Sequence, residues 1–316
     1  MNAAFEILAI TGPIYLAIAL GFFCTRQGVF AKADLQVFGR FAINLALPAL
    51  LFNALSQRSV AEVLNVHYLL AYALGSLLII ALGLFWARKV KGQSLSYSSM
   101  VAMGMSCPNS GFVGYPIILL SVGSVAGVAL ALNMVVENFL LLPLLMAIAD
   151  ADGGKSGQRK AVLLQTLKNL VKNPMIIGIV AGFLFSMSGL QMPAAIGRTI
   201  TLFAQSSAVL SLFVIGGSLV GLKAEGLKGT VLPIAVGKLV LHPLAMWGVL
   251  MWVVPIADPA LRMAALLTGA MPMLGIYTIL NQRHGHGTIS AAALLVTTVG
   301  SFFTLSGLLL VLKHQT

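Results

Sequence analysis

A carboxyl group set deep in apolar sequence is the first residue of this 316-residue chain to demand a chemical role. Glu137 lies about 12 residues, or ~18 Å at a helical rise of ~1.5 Å per residue, from either end of an apolar run. Its side chain is too short to reach an interface, so it must be protonated, paired or in a water-filled cavity. Asn133, four residues earlier, shares its helical face, and Asn138 is adjacent. As a titratable group Glu137 is placed to carry a coupling proton; the alternative is a protonated acid bonded to Asn133 or to a backbone carbonyl. Lys238 and His242 are spaced i, i+4 in a second apolar run and share a face. Lys238 is close enough to one end for its stem to carry the ammonium to the interface. The alternative is that it stabilises exposed carbonyl ends or attracts an anion. His242, before Pro243, is either a packed core histidine or a proton site.

Two further apolar runs are interrupted in the same way. One contains Pro108-Asn109-Ser110-Gly111 and the other Pro272-Met273-Leu274-Gly275, so each carries Pro-x-x-Gly near its middle. Proline removes a backbone donor and clashes with the preceding turn, and glycine relaxes the chain, so both runs are expected to break as helices. The second half of a broken helix begins with unpaired N–H groups and the positive end of a dipole, which suits an anion. Pro108, Asn109, Ser110, Gly111, Pro272, Met273 and Gly275, with Asn133, are therefore the expected substrate-binding residues, and Glu137, Asn138, Lys238, His242 and Asn44 the expected coupling or polar-pathway residues. Asn109 offers an amide that either contacts a carboxylate or caps the second half-helix. Gly111 and Gly275 are expected to lie close together where the two helices cross.

The elements that must hold these residues are membrane helices. The chain is 59% hydrophobic and 9% charged, with a mean hydropathy of +0.99, against roughly 25% charged residues in a soluble chain. Apolar stretches near the ~20 residues that span a bilayer recur at 7–25, 37–56, 67–87, 97–120, 126–149, 173–190, 199–221, 230–254, 262–281 and 288–312. Ten spans are expected, all α. A cleaved leader is not expected, because Glu6 is the only charge before the first span. The ends of odd-numbered spans carry 14 of the 19 Lys and Arg residues and the other side only Arg58, Arg198, Arg262 and Lys313. The rich side is then cytoplasmic and both termini lie outside, in the periplasm for a bacterial inner membrane. The net charge of +11 reads as a topology signal and a contact for anionic lipid, not as a nucleic-acid surface.

A hydrophilic linker, 151–172, separates a first repeat, 1–150, from a second, 173–316. Five spans in each half invert the second half relative to the first, and breaks in the fourth span of each are the pattern of a secondary transporter. Asn44, Asn53, Gln205, Ser206 and Ser207 either line the pathway or bond helix to helix. His284-Gly285-His286 reads as a solvated loop rather than half a metal site, and Cys24 and Cys107 lie in apolar spans where a disulfide framework is not expected. The sequence holds no H-E-x-x-H, G-x-S-x-G or P-loop pattern, so neither an enzyme nor a metal or cofactor site is expected, and a primary pump would require a partner to supply the ATP site. An anion channel or uncoupled facilitator is the rival to a carrier.

The run Cys107-Pro108-Asn109-Ser110-Gly111-Phe112-Val113-Gly114-Tyr115-Pro116 resembles the fourth-helix signature of the auxin efflux carrier family, which joins plant carriers to compact bacterial proteins assigned to malonate and dicarboxylate transport. Pro13-Ile14-Tyr15, Arg40-Phe41 with Pro48 and Phe52, Asn173-Pro174 and Pro272 extend the resemblance over the chain. It implies two five-helix inverted repeats, crossed broken helices four and nine at a substrate site, an elevator-like motion and a homodimer. The substrate implied is a small organic anion, with a proton or sodium as the coupling ion. Where the plant carriers have an Asp and a Lys in the third helix, this chain has Tyr72 and Ser76, and its central loop is short. Auxin is therefore the poorer comparison and the compact bacterial members the better one.

Overall fold

The computed structural model of the chain describes residues 3–58, 64–151, 171–222 and 227–313. Most of the expected linker, including Lys155, Arg159, Lys160 and Lys168, and Lys223 lie outside the described residues. The described residues are helical apart from turns and one two-residue bridge. In chain order the helices are α1 (Ala3–Arg26), α2 (Lys32–Ser56), α3 (Val66–Val90), α4 (Leu95–Ser106), α5 (Ser110–Val122), α6 (Val125–Asp150), α7 (Pro174–Ser188), α8 (Ala194–Ser218), α9 (Gly229–Trp252), α10 (Pro259–Ala270), α11 (Tyr277–Gln282) and α12 (Gly287–Leu312). Six of them, α2, α3, α6, α8, α9 and α12, are long and apolar enough to cross a membrane; α5 and α7 are shorter apolar helices. Leu16, Leu78, Leu184, Leu202 and Phe303 are each more than half exposed on the outside. Apolar side chains on so much of the exterior fit a lipid solvent, in which helices satisfy their own backbone. The protein is a multi-pass membrane protein.

Helix ends are set by short polar side chains. The Asn65, Ser94, Asn173 and Asp258 side chains accept from backbone N–H groups of the first turns of α3, α4, α7 and α10. Five of the prolines inside the spans follow one rule, which Pro13 within α1 does not share and which the π-type turn at Trp86–Val90 does not need. Wide, π-type turns begin at Ala42, Ser110, Glu137, Leu227 and Gly237, each six residues before a proline: Pro48, Pro116, Pro143, Pro233 and Pro243. A proline ring collides with the carbonyl four residues back and offers no N–H to it, and one extra residue in the preceding turn relieves both conflicts. Pro143 and Pro243 thus do more than kink their helices, because they put Glu137 and Lys238 in widened turns.

Glycine decides which helices are fused. A Cβ on Gly216 of α8 would lie 1.8 Å from the Ile18 carbonyl oxygen of α1, so only glycine permits that approach. Gly178 of α7 meets the Pro48 backbone of α2 in the same manner, at 2.7 Å. These contacts join α1 to α8 and α2 to α7. In the rest of the molecule α3 packs on α9 at Gly75 and Met246, and α4 packs on α11 at Gly104 and Tyr277.

The fourth and ninth expected spans are each two helices. α4 stops at Ser106 and α5 begins at Ser110; α10 stops at Ala270 and α11 begins at Tyr277. The two gaps lie against each other in an antiparallel bridge between Pro108 and Met273. Asn109 N–H donates to the Pro272 carbonyl at 2.8 Å and Leu274 N–H to the Cys107 carbonyl at 3.1 Å. One N–H and one carbonyl released by each break are therefore satisfied by the other. The Tyr277 hydroxyl donates to the Met100 carbonyl at 3.0 Å and ties α11 to α4 beside this junction. Tyr277→Phe is expected to lower stability by about 1 kcal/mol, the net worth of one hydrogen bond. Thermal unfolding of the purified variant in detergent checks this, and an unchanged midpoint would mean the hydroxyl is dispensable.

Candidate substrate and coupling site

Three rungs of buried polar groups cross the helices behind the breaks, built on one face of α3. Tyr68, Tyr72 and Ser76 recur every four residues and are fully buried. In the first rung the Tyr68 hydroxyl donates to Asn133 Oδ1 at 2.9 Å, and Asn133 Nδ2 donates to Thr268 Oγ1 of α10 at 3.0 Å. Asn133, expected at the substrate, thus has both ends of its amide engaged by protein. In the second rung Glu137 Oε1 accepts from the Tyr72 hydroxyl at 2.8 Å and from the Ser110 hydroxyl. Neither partner expected for a structural acid, Asn133 or a backbone carbonyl, holds Glu137. It is joined instead to the first residue of α5, at the positive end of that half-helix.

The third rung corrects the interface reading of Lys238. The side chain is fully buried, with Nζ 2.8 Å from the Gly269 carbonyl oxygen and 2.8 Å from His242 Nδ1. Gly269 belongs to the last turn of α10, so the lysine sits at the carbonyl end of a broken helix, where a cation is favoured. With Lys238 as donor, His242 Nδ1 is the acceptor and Nε2–H faces Ser76 Oγ at 3.2 Å. The acid thus attends the start of α5 and the lysine the end of α10.

At the junction itself Asn109 is nearly buried and does cap the second half-helix, its Oδ1 accepting from Phe112 N–H at 3.2 Å. Its Nδ2 has no hydrogen-bond partner among the described residues and lies 3.6 Å from the position a Cβ on Gly275 would take. The N–H groups of Ser110, Gly111, Gly275 and Ile276 likewise have no acceptor among the described residues. Each break thus leaves N–H donors without an acceptor among the described residues, and the Asn109 amide of the first lies beside the second, groups of the kind that bind an oxyanion. Gly111 does not face Gly275 there: a Cβ on it would meet only Leu47, and the neighbours of Gly275 are Asn109 and Ile215.

Other expected residues lie elsewhere. Asn44 is exposed, donates to the Arg40 carbonyl and lines a groove with Pro48 and Ile177, away from the junction. Asn138 donates to the Met134 carbonyl and accepts from Asn173, which ties α6 to the cap of α7. Asn53 lines an open crevice of about 680 Å³ with Gln57 and Arg198. Gln205 is exposed, and the Ser206 and Ser207 hydroxyls bond back to carbonyls of their own helix. His284 and His286 are docked rather than free, His284 against Asp150 at 3.1 Å and His286 against Ser96 at 3.2 Å.

The family model described as membrane transport protein matches residues 10–309. The chain belongs to that family, the one that includes the auxin efflux carriers. A protein of Rhizobium meliloti named "Putative malonate transporter" is 28% identical over 98% of this chain and 96% of its own length. The Escherichia coli K12 "Uncharacterized transporter YfdV" is 26% identical over 74% of this chain and 75% of its own. Auxin efflux carrier component 7 of Arabidopsis thaliana is 23% identical over 48% of this chain and 24% of its own length. The protein is thus a membrane transporter and not an enzyme. Within this membrane transport protein the residues that sequence reasoning missed are Tyr68 and Thr268, together with any role for Tyr72 and Ser76. The four-residue recurrence of Tyr68, Tyr72 and Ser76 in an apolar span was the available signal; Thr268 had none.

Proposed function

We propose that this transporter carries a small organic anion across the cytoplasmic membrane by alternating access, with its carboxylate held at the paired breaks. The observation that carries the reading is that both breaks leave N–H groups without acceptors among the described residues while the Asn109 amide of the first break lies beside Gly275 of the second. Ten crossings in two inverted repeats, 1–150 and 173–316, with both termini outside, are part of the same reading, supported by matching breaks and the basic asymmetry. An elevator-like motion is part of the same reading, with α1, α2, α7 and α8, joined at Gly216 and Gly178, as one body and the helices that carry the polar rungs, which meet it at Gly127 and Ala54, as the other. Similarity to the Rhizobium meliloti protein makes malonate the first substrate to try. The protein is proposed to work as a homodimer. Saturable malonate flux with counterflow in proteoliposomes tests the carrier; linear flux without counterflow would make it a channel.

Glu137 is the proposed coupling group, since it is bonded through Ser110 to the start of the half-helix that would hold the anion. A Gln at this position can still accept from Tyr72 and Ser110 but cannot exchange a proton. Glu137→Gln is therefore expected to keep its fold and malonate binding while flux loses its dependence on a pH gradient. Flux measured in vesicles at matched and opposed pH decides this, and an unchanged profile would make Glu137 a structural acid.

A further inference from the structure

α8 carries six hydroxyl side chains, and five of them follow the ordinary rule for apolar helices. Thr199, Thr201, Ser206, Ser207 and Ser218 each donate to a carbonyl three or four residues earlier. Ser211 does not. Its Oγ is buried, the residue is fully enclosed, and the hydroxyl has no hydrogen-bond partner. An unpaired polar atom in such a place is costly and needs a reason. The position supplies one. Ser211 and Ile215 are one turn apart on one face of α8, and Ile215 Cδ1 lies 3.6 Å from the Cβ position of Gly275 at the second break. The same helix also packs on the start of α5. The contacts that fix α8 against α1, at Gly216 and Phe213, point to other sides of the helix, and although α8 also packs on α2, Ser211 shares the face that Ile215 brings to the second break.

We propose that Ser211 is a substrate-positioning residue: its hydroxyl binds a second oxygen function of the carried anion, beyond the carboxylate held at the breaks, and so favours dicarboxylates and other oxygenated anions over simple monocarboxylates. The proposal rests on the anion-carrier reading. Among the described residues the one buried lysine near the breaks is already engaged by Gly269 and His242, so a neutral donor is what remains for a second polar group. The hydroxyl is closed off from water as the structure stands, so α8 and the junction must part before an anion enters between them. In the elevator reading α8 and Asn109 belong to different bodies, and an anion held by both would bridge them.

The test is binding of malonate and of propanoate, which lacks the second carboxylate, to purified wild type, Ser211→Ala and Ser211→Thr, with the thermal midpoint of each protein without ligand. Ser211→Ala is expected to lose about tenfold in malonate affinity and to leave propanoate unchanged, while its own midpoint stays level or rises because an unpaired hydroxyl has gone. Ser211→Thr, which keeps the hydroxyl, is expected to retain malonate binding. Wild type that binds malonate while Ser211→Ala binds it equally well overturns this proposal alone. Equal losses for both anions make Ser211 a packing residue and overturn it too. Wild type that binds neither anion overturns the carrier reading and this proposal together.

Discussion

Lys238→Met is expected to lower the stability of the protein by about 3 kcal/mol, the largest single loss among these variants. Methionine keeps most of the stem, so the cavity left is small, and the loss isolates the hydrogen bonds. Two buried acceptors are orphaned: the Gly269 carbonyl at the end of α10 and His242 Nδ1. Each unsatisfied buried group costs about 1–3 kcal/mol, and the cation no longer opposes the helix dipole. A double-mutant cycle with His242→Phe separates the two bonds. The double variant should recover part of the loss, because no imidazole is then left unpaired, whereas the Gly269 share should persist. Thermal unfolding in detergent is the measurement. A Lys238→Met protein as stable as wild type would mean that the ammonium contributes no net stability there.

Asn109→Ala is expected to weaken malonate binding by tenfold or more while the protein still folds. The amide has two separable duties, since Oδ1 caps α5 at Phe112 and Nδ2 is free at the junction. A cap is worth about 1 kcal/mol of stability, and a hydrogen bond to an anion about 1.5–3 kcal/mol of affinity. Asn109→Asp tells them apart, because it preserves the cap but puts an acceptor where the donor stood. Aspartate should keep the midpoint of wild type and lose binding at least as fully as alanine. Calorimetric titration of malonate reads the affinity, and wild-type affinity in Asn109→Ala would remove the junction from the substrate site.

The breaks themselves were legible in the sequence, because proline and glycine act on the backbone wherever they stand, and Pro108 and Pro272 needed no tertiary information to interrupt their helices. Side-chain partners were a different matter. Spacing puts Lys238 and His242 on one face, and the structure pairs them. Stem length alone, however, favoured the interface for the ammonium, and only the packing of α3 and α10 around it decides that its partners are Ser76 through His242 and the Gly269 carbonyl. Asn133 and Asn109 illustrate the same limit. Both are amides near the middle of apolar spans, yet one has both ends engaged and the other keeps a free Nδ2, a difference made by Tyr68 and Thr268 on other helices. Ser211 was invisible for this reason: nothing in its type or spacing separates it from Ser207, which bonds its own helix. Glu137 was visible as an anomaly but its place in a widened turn was not, although the proline six residues later was there to read.

The paired breaks also have a consequence for biosynthesis. The Cys107 carbonyl finds its donor at Leu274, and the Asn109 N–H its acceptor at Pro272, about 165 residues further along the chain. At a translation rate of about 5–20 residues per second, roughly ten to thirty seconds pass before those partners leave the ribosome. Through that interval the first half of the protein resides in the bilayer with an open backbone junction that hydrocarbon cannot satisfy. The backbone groups at residues 107–109 therefore need other partners, such as water, lipid headgroups or an insertion factor, until residues 272–274 arrive. A chain that ended before residue 272 would keep that junction open.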